Sequence, residues 1–183
     1  MGAFGTYVCL TLNAPGLVLE PLTAAHAGEL FPRLQDPALY TYIPQDPPSL
    51  ESLSARYARL QSRRSPDGNE LWLNWVARRG DDAVGTVQAT CRPDGVAAIA
   101  YDIFVPFQRR GLATKAVTAM LDHVRAAAGI TTAKALVDTR NTASIRLLER
   151  LGFSRMRLIE NADHFKGARS DEYEYARELK AAT

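Results

Sequence analysis

The chain has 183 residues, 46% of them hydrophobic and 23% charged, with 22 Lys and Arg against 20 Asp and Glu for a net charge of +2. A single domain over residues 1–183 is expected, long enough to bury a sound core. The near-balanced charge excludes the basic footprint of a nucleic-acid binder, and no apolar run approaches membrane-spanning length.

Cys9 and Cys91 lie far apart in apolar, strand-like stretches and read as reduced core residues, not a disulfide framework. His26, His123 and His164 lack metal-ligand spacing, so no metal is expected. The first residues lack the basic-then-apolar pattern of a secretion signal, and a cytoplasmic protein is the expectation.

Weak alternation over residues 8–12 predicts a strand or arm. Leu17, Val18 and Leu19 make a short apolar strand ended by Pro21. Thr23 reads as the N-cap of a helix to about residue 34, with Pro32 as its kink or break. A proline-rich loop follows. Ser49 then caps a second helix, where Leu50, Leu53, Tyr57 and Leu60 recur at helical spacing. The opposite face carries Arg56, Arg59 and Arg63 and reads as solvated. Three strands are expected over residues 71–77, 83–91 and 96–105, joined by short turns into an antiparallel meander.

The meander ends at Gln108, Arg109, Arg110, Gly111, Leu112 and Ala113. A strand runs in, and an amphipathic helix over residues 112–128 runs out to Gly129. The first N–H groups of a helix have no internal acceptors, and the helix dipole favours negative charge there. Such a turn suits a phosphate or pyrophosphate. Gly111 either lets the backbone approach a ligand closely or takes a positive φ without a Cβ clash.

A short strand is expected over residues 134–138, then Asn141 as the N-cap of a helix that Gly152 stops. A strand to about residue 160, a polar loop over 161–169 and a last strand over 170–179 complete the chain. The order is β-α-α-β-β-β-α-β-α-β-β, an α/β (α+β) arrangement. The helix crossover makes the strands at 96–105 and 134–138 parallel neighbours.

On these residues the chain resembles the GNAT superfamily of acyl-CoA-dependent N-acyltransferases, most of all its RimJ/RimL-type branch. The likeness rests on the turn from Gln108 to Ala113, on Asn141-Thr142-Ala143-Ser144 and on Leu151-Gly152-Phe153. Leu19-Glu20-Pro21-Leu22-Thr23, Phe165-Lys166-Gly167 and Asp171-Glu172-Tyr173 add to it. It implies a mixed, mostly antiparallel central sheet splayed between two parallel strands, with helices on both faces.

The resemblance also implies a site. Coenzyme A would enter the splayed V, its pantetheine arm pairing with the strand edge at Ile103, Phe104 and Val105. The N–H groups of Arg109, Arg110, Gly111, Leu112, Ala113 and Thr114 would hold the pyrophosphate beside Gln108, with Arg109, Arg110 or Lys115 screening its charge. Asn141 would reach the pantetheine or acyl carbonyl region, and it can cap a helix at the same time. The reaction would be direct acyl transfer from acetyl-CoA, the co-substrate, to a neutral amine whose proton goes to a carboxylate or ordered water. A backbone N–H near Ile103 would stabilise the oxyanion.

Ser144 is the candidate proton donor to the leaving thiolate, or a group that positions the sulfur; its other role is a polar residue of a first helical turn. Many relatives carry glutamate where this chain has Ala98. Asp102 is the candidate replacement, with a buried structural hydrogen bond as its alternative role. Relatives also place proline one residue before the position of Pro106. Glu70, Asp138 and His164 are weaker candidates that read more readily as structural or solvated. Tyr40, Tyr42 and Trp75 are expected to line an acceptor pocket formed by the first two helices, the proline-rich loop and a late loop near His164.

The leading expectation is an acetyl-CoA-dependent N-acetyltransferase acting on a primary amine, either a protein N-terminus or a small molecule. The alternative is a non-catalytic acyl-CoA-binding or sensor module. Neither nucleic acid nor membrane is expected as a partner, and the chain is expected to be a monomer or homodimer.

Overall fold

A computed structural model describes Phe4 and residues 9–180. Among the described residues the first elements are β1 (Leu12–Ala14), β2 (Leu17–Pro21), α1 (His26–Leu30) and α2 (Leu50–Leu60). The meander follows as β3 (Leu71–Arg79), β4 (Asp82–Cys91) and β5 (Val96–Ile103). Then come α3 (Leu112–Ala128), β6 (Thr132–Asp138), α4 (Thr142–Arg150), β7 (Ser154–Phe165) and β8 (Ala168–Glu178). The strands form one sheet in the order β1-β2-β3-β4-β5-β6-β8-β7. Every pairing is antiparallel except β5 with β6, as the crossover through α3 requires.

The sheet buries both faces of its centre. Leu73, Trp75, Val87 and Ile99 pack with Met120, Leu121 and Val124 of α3 and Leu148 of α4. On the other face Val76 packs with Leu22, Leu30, Leu53, Tyr57 and Phe104, under α1 and α2. The alternation in β3 delivers this: Trp75 and Val76 are adjacent, both fully buried, and face opposite cores.

Three local expectations need correction. The first strand is Leu12–Ala14, and Val8, which the reading also included, lies outside the described residues. Thr23 caps no helix. Its N–H donates to His26 Nδ1 at 2.9 Å, and α1 is only His26–Leu30, with Pro32 preventing continuation. Residues 161–165 belong to β7 instead of a loop, and the turn is Lys166-Gly167, both at positive φ. Register shifts between Arg155 and Arg157 and between Ile159 and Asp163 break the alternation. An edge strand with irregular pairing carries no clean periodic signal.

Candidate active site

β5 and β6 run together for only three residue pairs, Val96 with Thr132, Ala97 with Ala133 and Ala98 with Lys134. Beyond them β5 stays with β4 as far as Ile103 opposite Gly85, and β6 stays with β8 as far as Asp138 opposite Glu172. The sheet thus opens into a V between Ile99–Ile103 and Ala135–Asp138. Arg92 N–H donates to Val96 O, and Phe104 N–H donates to Val84 O. By alternation, the main-chain groups of Ile99, Tyr101 and Ile103 point away from β4 into the V.

Gly85 holds this edge close to β4. A Cβ there would collide with the Asp102 carbonyl oxygen and come within 2.9 Å of Ile103 Cδ1. Phe104 does not offer its main chain to the V. Its N–H is bound to Val84, its C=O accepts from Phe107 N–H at 2.8 Å, and its side chain is fully buried. Val105 opens a 3-10 turn with Pro106 that ends the strand, so β5 stops at Ile103, short of the expected residue 105.

The turn into α3 is at the mouth of the V. Gln108 Nε2 donates to Ile103 O at 2.9 Å and ties the turn to the end of β5. Arg109 and Gly111 both take positive φ, 60° and 71°. A Cβ on Gly111 would meet nothing within 4 Å, so its left-handed backbone, not crowding, is what calls for glycine. The first intrahelical acceptor is Gly111 O, which takes Lys115 N–H. The N–H groups of Leu112, Ala113 and Thr114 therefore lie in the unpaired first turn of a 17-residue helix. Leu112 sends its side chain into the core, while Ala113 and Thr114 are half-buried. Arg110 lies over the Phe107 ring, and Lys115 Nζ donates to Pro15 O at 2.9 Å, which ties it to the β1–β2 turn.

On the far arm, Asn141 caps α4: its Oδ1 accepts Ser144 N–H at 3.1 Å. Ser144 Oγ is 2.6 Å from the Tyr101 hydroxyl, a hydrogen bond that crosses from α4 to β5. Burial pushes the Tyr101 hydroxyl up to about 12, so it keeps its proton. Tyr101 escaped sequence reasoning because a tyrosine between Ile99 and Ile103 reads as core; only the tertiary fold sets it against Ser144.

Asp138 is structural. Arg140 grips it through Nε at 2.9 Å, Nη2 at 2.5 Å and its main-chain N–H at 2.8 Å, and Ser170 Oγ adds a bond at 2.5 Å. The Arg140 bonds, followed by that of Ser170, hold its carboxyl at about 2. Glu70 accepts from Trp72 Nε1 and pairs with Arg92 at the distant end of the meander. His164 is exposed on β7.

Asp102 faces the other way from Tyr101. It borders a cavity of about 350 Å³ between the sheet and α2, together with Tyr40, Asp46, Arg56, Tyr57, Asn74 and Gln88, among others. Asp102 is exposed, with its surface opening on this cavity. Desolvation by the neighbouring protein raises its carboxyl above the ordinary range, with Arg56 opposing. Tyr40 is buried in the same wall, and its hydroxyl donates to Leu34 O. Lys166 Nζ donates to Tyr40 O and joins the β7–β8 turn to this loop.

Trp75 and Tyr42, expected to line this pocket, do not. Trp75 faces the α3 core, fully buried, with its Nε1 bound to Leu10 O at 2.8 Å. On the arginine face of α2, Arg56 and Arg59 are exposed, as expected of a solvated face, while Arg63 is half-buried with its Nη2 donating to Leu22 O; Arg59 also stacks over Trp72, and Arg56 lines the cavity. Tyr42 lies on the exposed loop outside the lining.

Comparison with known proteins agrees with this fold. The chain is 24% identical over 168 residues to the uncharacterized N-acetyltransferase p20 of Bacillus licheniformis, covering 91% of this chain and 94% of that one. Uncharacterized N-acetyltransferase YoaA of Bacillus subtilis is 23% identical over 169 residues, covering 90% and 94%. Among solved structures, RimL, a ribosomal L7/L12 α-N-protein acetyltransferase in complex with coenzyme A, superposes with a TM-score of 0.84 at 19% identity, covering 93% of this chain and 98% of that one. Mycobacterium smegmatis RimJ, in complex with CoA-disulfide, gives a TM-score of 0.77 at 20% identity, covering 92% and 86%. Residues 16–154 match the family described as the acetyltransferase (GNAT) domain, and the chain belongs to that family.

Proposed function

We propose that this chain transfers an acetyl group from acetyl-CoA to a primary amine, on a protein N-terminus or a small molecule, by direct attack on the thioester. The observation that carries this is the parting of β5 from β6 after three residue pairs, beside a left-handed Gly111 that opens α3. An extended pantetheine arm fits the unpaired edge of β5, and a pyrophosphate fits the N–H groups at the start of α3.

The chain's own groups divide the proton work across β5. Asp102, on the α2 side, takes the proton that the amine loses. The N–H of Ile103, directed into the V, donates to the thioester oxygen as charge builds there. Ser144, on the α4 side, gives its proton to the departing thiolate, positioned for this by its hydrogen bond to Tyr101, which keeps its own proton. One proton leaves the amine and one reaches the thiol, so exchange with solvent restores both groups.

The test is an assay of CoA thiol release over peptides, polyamines and amino acids. Saturable turnover with at least one amine is expected. Tight acetyl-CoA binding without turnover on any amine would leave a non-catalytic acyl-CoA-binding module instead.

A further inference from the structure

Three arginines rise from one side of α2 and its C-terminal turn, and their fates differ. Arg59 is spent on the Trp72 ring and Arg63 on the Leu22 carbonyl. Arg56 alone of the three lines the cavity that Asp102 borders. Among the described residues Arg56 makes no hydrogen bond or ion pair, although its charge is felt by Asp102, Tyr40 and Tyr57. A guanidinium that served only to neutralise Asp102 would close on it as an ion pair. Here the two opposite charges share a cavity without touching.

Asp46 adds an acid from the loop side, and Ser52, Thr86 and Gln88 supply neutral polar lining. The cavity therefore offers a carboxylate beside the V, a cation on the α2 wall and a second acid at the loop. We infer that the acceptor is a primary amine that also carries a carboxylate, its amine directed to Asp102 and its carboxylate held by Arg56. A volume of about 350 Å³ admits a free amino acid or the first residues of a peptide. Asp46 repels an anion from the loop side and so favours the α2 wall as the place of the carboxylate.

This inference rests on the acetyl-transfer reading, and one experiment separates their failures. Thiol release is measured with free amino acids against their carboxamides, and with peptides bearing Glu against Gln at the second position. The first pair tests a free amino acid as the source of the carboxylate; the second tests a peptide. In at least one pair the acidic member is expected to have roughly tenfold higher kcat/KM, as one charge-assisted contact on a solvent-accessible arginine provides. In Arg56→Gln the ratio is expected to collapse towards one, chiefly through KM. Arg56→Glu is expected to invert it. Equal rates within both pairs, or a preference that survives Arg56→Gln, overturns the inference and leaves acetyl transfer standing. No turnover with any amine overturns both.

Discussion

The two sides of β5 are built from different materials. Towards α3 and α4 the site consists largely of main chain: the edge of Ile99–Ile103, the left-handed Gly111 and the first turn of α3. Towards α2 it consists of side chains from scattered places, with Arg56 on a helix, Asn74 and Gln88 on neighbouring strands, Tyr40 at the end of a 3-10 turn and Asp46 on a loop. A main-chain site survives wherever the topology survives, because any sequence that keeps the splay and the turn presents the same N–H groups. A side-chain site changes with single substitutions. The carrier half should therefore be common to the family, and the acceptor half particular to this chain.

The strongest way to break this contrast is to put a charge where the main chain alone should matter. Gly111→Asp sets a carboxylate against the pyrophosphate and also strains a φ of 71°. Acetyl-CoA affinity by calorimetry is expected to fall on the order of 100-fold or more. Gly111→Ala carries only the backbone strain and is expected to lose several-fold. If the two variants bind alike, phosphate recognition does not depend on this turn.

On the acceptor side, Asp102→Asn is expected to lower kcat on the order of 100-fold and to remove the acidic limb of the pH–rate profile. Acetyl-CoA affinity should hardly change. Stability should move in the opposite direction. An acid whose folded pKa is raised contributes most to stability while protonated, and loses that contribution as pH rises through its pKa. At neutral pH the uncharged asparagine is therefore expected to unfold at a higher temperature than the wild type. A lower melting temperature together with full activity would make Asp102 the structural hydrogen-bonding residue that the sequence also allowed.

Asp138 sharpens the comparison from outside both halves. Its carboxyl, held at about 2 and with the side chain 1% exposed, fixes the path from β6 to α4. A depressed folded pKa stabilises the protein above the unfolded value near 3.9, and that contribution fades as pH falls towards 2. Asp138→Asn is expected to lose about 2 kcal/mol by urea unfolding at pH 7 and about half as much at pH 3. An equal loss at both values would assign the effect to packing.

The same division explains what the sequence disclosed. The turn from Gln108 to Gly111, the amphipathic α3 and the Asn141 cap are local patterns, each fixed by a few adjacent residues, and each stands where it was expected. The meander and the parallel pair followed from connection lengths. The acceptor half was hidden because its residues come together only in three dimensions. Trp75 looked like a pocket aromatic until the phase of β3 turned it into the α3 core, and Arg56 looked like one of three equivalent solvated charges. Phe104 was misassigned by a single step of strand alternation, which decides whether an N–H meets β4 or the V.

The smallest expected effect tests a contact between two side chains on the main-chain half. Tyr101 and Ser144 join the two arms of the V through a 2.6 Å hydrogen bond. A thiolate is a fair leaving group, so losing its donor slows the reaction without stopping it. Ser144→Ala and Tyr101→Phe are each expected to lower kcat about tenfold, with acetyl-CoA affinity little changed. If Tyr101 acts through Ser144, the double variant is expected to be no slower than Ser144→Ala alone. Additive losses would mean that Tyr101 and Ser144 act separately. Full rates in both single variants would reduce the pair to a strut between β5 and α4, and the carrier half would then work through its main chain alone.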